Sequence, residues 1–274
     1  MKVKFYGVRG SLPVCGKGFQ RYGGNTTCLC VTRETANRIF IIDAGTGIRN
    51  LGKDLVARSY KQELINISFT HFHMDHIQGF PFFAPAYDPS QRIGMLVMGS
   101  ERKLKNVKDI FSTQMQQDFF PVQLDSMGAK FEFPSLGDDE TIYGAHVTAV
   151  PQFHQFQGGS YGLRIEDSSG TLVVCTDVEH INGTDRGIVK LADKADLLIH
   201  DGQYTEEEYK KCKGWGHSTW KQAIDVAIQA NVKKLIITHH DPDHDDDFLD
   251  RMEEMSKKEF PNCEFAKEGM EVMV

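Results

Sequence analysis

The segment Thr70-His71-Phe72-His73-Met74-Asp75-His76 places three imidazoles and a carboxylate within six residues. Histidine is the commonest protein metal ligand. In an extended stretch, residues i and i+2 point the same way, so His71 and His73 can grip one ion together. A turn after them would carry Asp75 and His76 towards a second ion. A lone histidine is more often a satisfied core or surface residue. Four ligand-type side chains packed this densely reverse that expectation.

One loop cannot complete a metal site. Further donors stand where apolar runs end. Val147 to Val150 leads to His154, Leu172 to Thr176 runs into Asp177, and Leu235 to Thr238 runs into His239. Strand ends in one α/β layer converge on one edge, where such folds place ligands. The candidate metal set is therefore His71, His73, Asp75, His76, His154, Asp177 and His239. Imidazole and carboxylate donors without a thiolate suit zinc first, with manganese and iron as alternatives.

Other apolar runs share this pattern. Ile39 to Ile42 precedes Asp43-Ala-Gly-Thr-Gly, Leu64 to Thr70 precedes His71, and Leu197 to Ile199 precedes His200-Asp201. Continuous apolar runs imply strands covered on both faces. Between them the patterns predict four helices. One runs over about 101–117 after a Ser100 cap. One starts at Thr205, with Glu208 at capping-box spacing. One follows a Ser218 cap through Ala230, with Ile224, Ala227 and Ile228 on its apolar stripe. The last spans about 247–258. Alternating strands and helices make the class α/β. The proline- and aromatic-rich stretch from Phe80 to Pro89 reads as a loop, serving either as a pocket wall or lid or as a packed surface loop.

The chain has 274 residues, 40% hydrophobic and 25% charged, with a formal net charge of −7. That composition belongs to a soluble globular protein and argues against fibrous or disordered classes. The acid excess disfavours a protein that coats long nucleic acids. No apolar run approaches the length of a membrane span and the start carries no signal pattern, so a cytoplasmic protein with no membrane partner is expected. The six cysteines form no C-x-x-C pair. They read as reduced, mostly buried thiols rather than a zinc or disulfide framework.

The motif T-H-x-H-x-D-H, with a later His, Asp and His at strand ends, resembles the metallo-β-lactamase-fold hydrolases. Gly214-Trp215-Gly216-His217-Ser218-Thr219 is similar to the G-H-S-T segment of their ribonuclease Z-like phosphodiesterase branch. The stretch from Tyr6 to Thr27 and Asp43-Ala-Gly-Thr-Gly resemble the same branch. The resemblance implies a four-layer αββα sandwich occupying residues 1–274 as one domain. It implies that His71, His73 and His154 hold one divalent ion, Asp75, His76 and His239 a second, and that Asp177 bridges them. It also implies a catalytic role for His217 as general acid, with Asp201 as its acidic partner where the branch usually carries Glu. Homodimers are common in the branch.

The expected activity is hydrolysis of a small phosphodiester, foremost a 3′,5′-cyclic nucleotide. The alternative is RNA 3′-end processing of the ribonuclease Z type. The acidic chain and the lack of a long Gly/Pro/Lys-rich insertion favour the compact substrate. Asn25, Ser218 and His244 are candidate substrate contacts, and His240 is a further candidate beside the last ligand. The Gly16 to Gly24 stretch could approach a phosphate closely. Asp43 is placed to orient a ligating histidine. Arg102, Lys103, Lys105 and Lys108 read as a solvated face, His200 as packing, and His146 and His180 as ordinary residues.

Overall fold

The computed structural model describes residues 1–33, 38–58, 64–100 and 106–274. Seven strands come first: β1 (Lys2–Gly7), β2 (Cys28–Arg33), β3 (Arg38–Ile42), β4 (Ile65–Ser68), β5 (Arg92–Met98), β6 (Lys130–Glu132) and β7 (Ser135–Leu136). Seven more follow: β8 (Asp139–Ile142), β9 (Ala145–His154), β10 (Phe156–Asp167), β11 (Gly170–Cys175), β12 (Leu197–Asp201), β13 (Lys234–Thr238) and β14 (Cys263–Phe265). The first group forms one sheet, which β15 (Glu271–Met273) completes beside β1, and the second group forms another. The helices are α1 (Ile48–Ala57), α2 (Met74–Ile77), α3 (Val107–Gln114), α4 (Arg186–Leu191), α5 (Glu206–Cys212), α6 (Trp220–Gln229) and α7 (Asp246–Glu259).

Three apolar clusters separate four layers. Ile39, Ile41 and Ile67 face outward onto α1 and α3. Phe40 and Ile42 face inward and meet Leu172, Val174 and Ile199 of the second sheet. Val173, Cys175, Leu198 and Ile237 face outward onto α4, α6 and α7. Neighbouring residues on one strand thus enter two different cores, which explains the unbroken apolar runs. The architecture is a four-layer αββα sandwich, as expected.

Parallel register positions the chemistry. Cys175 pairs with His200 and His200 with Ile237, so Asp177, Asp201 and His239 leave adjacent strands at one edge. In the first sheet Ile42 pairs with Ser68, so Asp43 and His71 leave together.

Several local expectations need correction. The helix after Ser218 is capped by Thr219, whose side chain accepts from Gln222 N in a full capping box. Ser218 instead turns its hydroxyl to Val178 O at 2.5 Å. Ile224 and Ala227 are buried, but Ile228 is exposed. Ser100 binds Asp138 through its backbone and hydroxyl. Asn106 caps α3. The remainder of that expected helix start, with Arg102, Lys103 and Lys105, lies outside the described residues, while Lys108 pairs with Asp125 at 2.9 Å. The 80–89 stretch forms two 3-10 turns with Phe80 and Phe83 fully buried and Phe82 and Tyr87 exposed, so it is a packed surface loop rather than a pocket wall or lid. Thr205 and Glu208 form the capping box that their spacing predicts. All six cysteines are free, and four are buried. Among the described residues no helix is long and apolar enough to cross a membrane.

Candidate metal centre

Two donor clusters meet at the shared sheet edge. One holds His71, His73 and His154; the other holds Asp75, His76, Asp177 and His239; within each, the donor atoms lie within 4.8 Å of one another. Asp177 stands between them. Its Oδ2 is 3.1 Å from His76 Nε2, and its Oδ1 is 3.3 Å from His239 Nε2 and 3.7 Å from His71 Nε2. Asp75 Oδ2 lies 3.2 Å from His239 Nε2 and 3.3 Å from His76 Nε2. His154 Nε2 is 2.9 Å from His73 Nδ1. Only His73 is exposed.

Partners on the far side fix the rings. His76 Nδ1 donates to Asp43 Oδ2 at 2.9 Å, His239 Nδ1 to Gln203 Oε1 at 3.0 Å, and His154 Nδ1 to Gly216 O at 2.7 Å. Each ring therefore turns Nε2 inward, the tautomer a metal requires. His71 Nε2 is buried without a hydrogen-bond partner among the described residues. An orphaned buried nitrogen is costly unless a cation satisfies it. The residues thus fit divalent ions.

The two clusters differ electrostatically. Burial, with neighbouring imidazoles, pushes His71 well below the usual histidine range, and burial also lowers His73 and His154. Burial acts the same way on His239, but Asp177 and Asp75 outweigh it and raise the ring to about 9. Asp177 is raised by burial and lowered more strongly by His239, His76 and His71, ending well below the carboxylate range. Two buried carboxylates thus draw positive charge into the second cluster.

His217 lies beside both clusters. Its Nδ1 donates to Asp201 Oδ2 at 2.8 Å, and its ring stacks on His239 with centroids 4.9 Å apart. Asp201 is fully buried and also accepts from the backbone N–H groups of Asp177, Gln203 and Ser218, each at 3.1 Å. The shorter Asp arm therefore reaches His217 directly. The ring lines a cavity of about 720 Å³ that also touches His73, Asp75, His154 and Asp177.

The expected substrate contacts are not on that cavity wall. Asn25 turns its amide to Glu268 Oε2 at 2.9 Å. The Ser218 hydroxyl is fully buried on Val178 O. His244 is buried between Phe248 and Glu208, with Nε2 2.8 Å from Glu208 Oε1. His240 is buried against Phe265 and donates to Ala266 O at 2.9 Å. Gly23 and Gly24 approach Glu268 and Val14, so their close contacts are internal. His180 and His200 are a buried pair with Nε2 atoms 3.3 Å apart, and His146 is exposed beside Asp139.

Sequence reasoning missed Gln203, Ser11, Glu179 and Trp215. Ser11 N donates to Asp75 Oδ2 at 2.9 Å. Glu179 follows Asp177 by two residues, as Gln203 follows Asp201; that alternation was the available signal. Backbone strain concentrates here too. Ser11, Asp43, Gln155, Asp177 and His239 all take positive φ, between 57° and 64°.

A helix-flanked double sheet with clustered histidines and aspartates at one edge defines a hydrolase of the metallo-β-lactamase type, a fold that implies divalent metal. Residues 38–240 match the family model described as the beta-lactamase superfamily domain, and the chain belongs to that family. It is 23% identical over 328 residues to Ribonuclease Z of Prochlorococcus marinus, covering 99% of this chain and 98% of the relative. The short form of human tRNase Z has the same fold, with a TM-score of 0.67, 19% identity, and coverage of 100% and 99%. So has the metallo-beta-lactamase fold protein YhfI of Bacillus subtilis, with a TM-score of 0.70, 18% identity, and coverage of 100% and 98%.

Proposed function

We propose that this chain is a dinuclear metal-dependent phosphodiesterase acting on RNA in the manner of a ribonuclease Z. The observation that carries the chemistry is the Asp201–His217 pair at 2.8 Å beside seven clustered donors. The whole-length similarity to a protein named Ribonuclease Z supports RNA 3′-end processing above the cyclic nucleotide favoured by sequence reasoning.

His71, His73 and His154 would hold one ion, Asp75, His76 and His239 the other, with Asp177 between them. Bound divalent ions would neutralise the phosphate and bring the pKa of water down towards ~7. Zinc matches the donor set best, and manganese also matches it. The protein's own contribution is proton delivery. His217 would donate from Nε2 to the departing oxygen while Asp201 fixes its tautomer and stabilises the imidazolium. An alkoxide leaves poorly, so this general acid is worth roughly 10²–10⁴-fold.

A second reading, a compact diester such as a cyclic nucleotide, has one observation in its favour. Glu208, Asp241 and Asp243 line the cavity and would repel a polyanion. The proposal takes residues 1–274 as one catalytic domain and includes a cytoplasmic homodimer, which analytical ultracentrifugation tests. A single panel tests the activity. The protein is stripped of metal and restored with zinc or manganese. It is then offered an aryl phosphodiester, 3′,5′-cyclic nucleotides and precursor tRNA. Precursor tRNA cleaved ahead of the others is the expected result. Preference for cyclic nucleotides would promote the second reading, and hydrolysis of no diester would sink both.

A further inference from the structure

Trp215 is 61% exposed on the cavity wall, two residues before His217. An indole left in water is common on a mobile loop. This one is held. Gly214 and Gly216 flank it in left-handed backbone, at φ 92° and 95°. The buried Glu179 pins both sides. Its Oε1 accepts from Gly214 N at 2.6 Å and its Oε2 from Gly216 N at 2.8 Å. Tyr209 donates its hydroxyl to the same carboxylate at 2.8 Å. Trp215 N donates to Cys212 O at 3.0 Å. Gly216 O accepts from His154 Nδ1, and a Cβ on Gly216 would stand 2.3 Å from that nitrogen. The loop therefore carries an exposed indole on a backbone that is pinned at both neighbouring residues.

We propose that Trp215 is a stacking platform for a nucleobase of the substrate, and that Glu179 is the positioning residue that holds it. The inference rests on the phosphodiesterase reading and names the group recognised beside the reacting phosphate. Three observations favour a base. The indole face is flat and stands on a pinned backbone, which lowers the ordering cost of stacking. It lines the same cavity as His217, the ring that would protonate the leaving oxygen as its nucleoside departs. Glu208 and Asp241 line the same cavity and would repel a second phosphate more than a neutral base.

The test begins with binding. The chain has two tryptophans, and Trp220 is 2% exposed, so solvent-quenchable emission belongs to Trp215. Titrating a nucleoside 5′-monophosphate into the metal-loaded protein should quench that emission, whereas ribose 5-phosphate should not. Equal quenching by both, or by neither, overturns the proposal whether or not the protein turns over. The kinetic arm compares a 3′,5′-cyclic nucleotide, a short RNA and base-free ribose 3,5-cyclic phosphate. Base stacking on an aromatic is typically worth about a tenfold factor or more when truncated to alanine. Trp215→Ala should therefore lower kcat/KM on the base-bearing diesters about tenfold more than on the base-free one, through KM, with Trp215→Phe recovering most of the difference. Equal losses on all diesters would overturn it. Glu179→Gln should reproduce the KM effect and shorten the rotational correlation time of Trp215. If wild-type protein cleaves no diester, the phosphodiesterase reading fails, while the quenching result still decides stacking.

Discussion

Two buried aspartate–histidine pairs stand on opposite sheets. Asp43 accepts from His76 Nδ1 at 2.9 Å, and Asp201 accepts from His217 Nδ1 at 2.8 Å. Both aspartates are fully buried and both take further bonds, Asp43 from Thr70 N and its hydroxyl, Asp201 from three backbone N–H groups. The pairs are alike, but the opposite nitrogens meet different surroundings. His76 Nε2 faces Asp75, Asp177 and His239 and lies behind the cavity wall, whereas the His217 ring itself lines the cavity. One local device thus stands in two surroundings; under the proposed function the first would present a lone pair to a cation and the second a proton to a leaving group. What a ring can do is decided by the space beyond it.

The largest expected effect breaks the first pair. His76→Ala should lower turnover about 10³-fold or more with loss of bound metal, because the ions are the largest charges at such a site. Elemental analysis alongside kinetics checks this; full metal content would remove His76 from the ligand set. His217→Ala comes next. It should lower kcat roughly 10²–10⁴-fold with metal content unchanged. Unchanged turnover would remove the ring from the mechanism. The two aspartates then sharpen the contrast. Asp43→Asn should weaken metal affinity about 10–100-fold yet recover its rate at saturating metal. Asp201→Asn should keep a rate deficit of about tenfold or more at saturating metal, since the tautomer is disturbed. Identical responses would dissolve the distinction between the pairs.

The last expectation concerns stability rather than rate. Burial and the neighbouring His200 push His180 down to about 3. An unfolded histidine titrates near 6.5. As pH falls from about 6.5 towards 3, the unfolded chain takes up a proton that the folded chain refuses. Stability should therefore be lost across that window by about 1.4 kcal/mol per pH unit for this group. Melting temperatures between pH 4 and 7 should fall less steeply in His180→Gln; parallel slopes would remove His180 from the acid response.

The donors were legible because each stands where an apolar run stops, and the parallel register of β11, β12 and β13 brings those stops together. The Asp201–His217 pair needed the motif resemblance, since nothing in the composition joins positions sixteen apart. The internal partners of the candidate substrate contacts were not legible. Asn25 is diverted by Glu268, 243 positions away, and Ser218 by Val178 O. Two hydroxyl residues in succession, Ser218 and Thr219, both fit a cap by type; the tertiary partner of Ser218 settles which one serves. Trp215 carried a signal of its own, an aromatic set between two glycines.

Left-handed backbone at Asp43, Asp177 and His239 has an evolutionary consequence. Such conformations cost most side-chain-bearing residues about 1–3 kcal/mol each, and glycine relieves much of that cost. A duplicate of this gene freed from selection on its chemistry would find glycine favoured on conformational grounds at these three turns. Decay of the site would then be recorded first as glycines at the strand ends, with the sandwich itself intact.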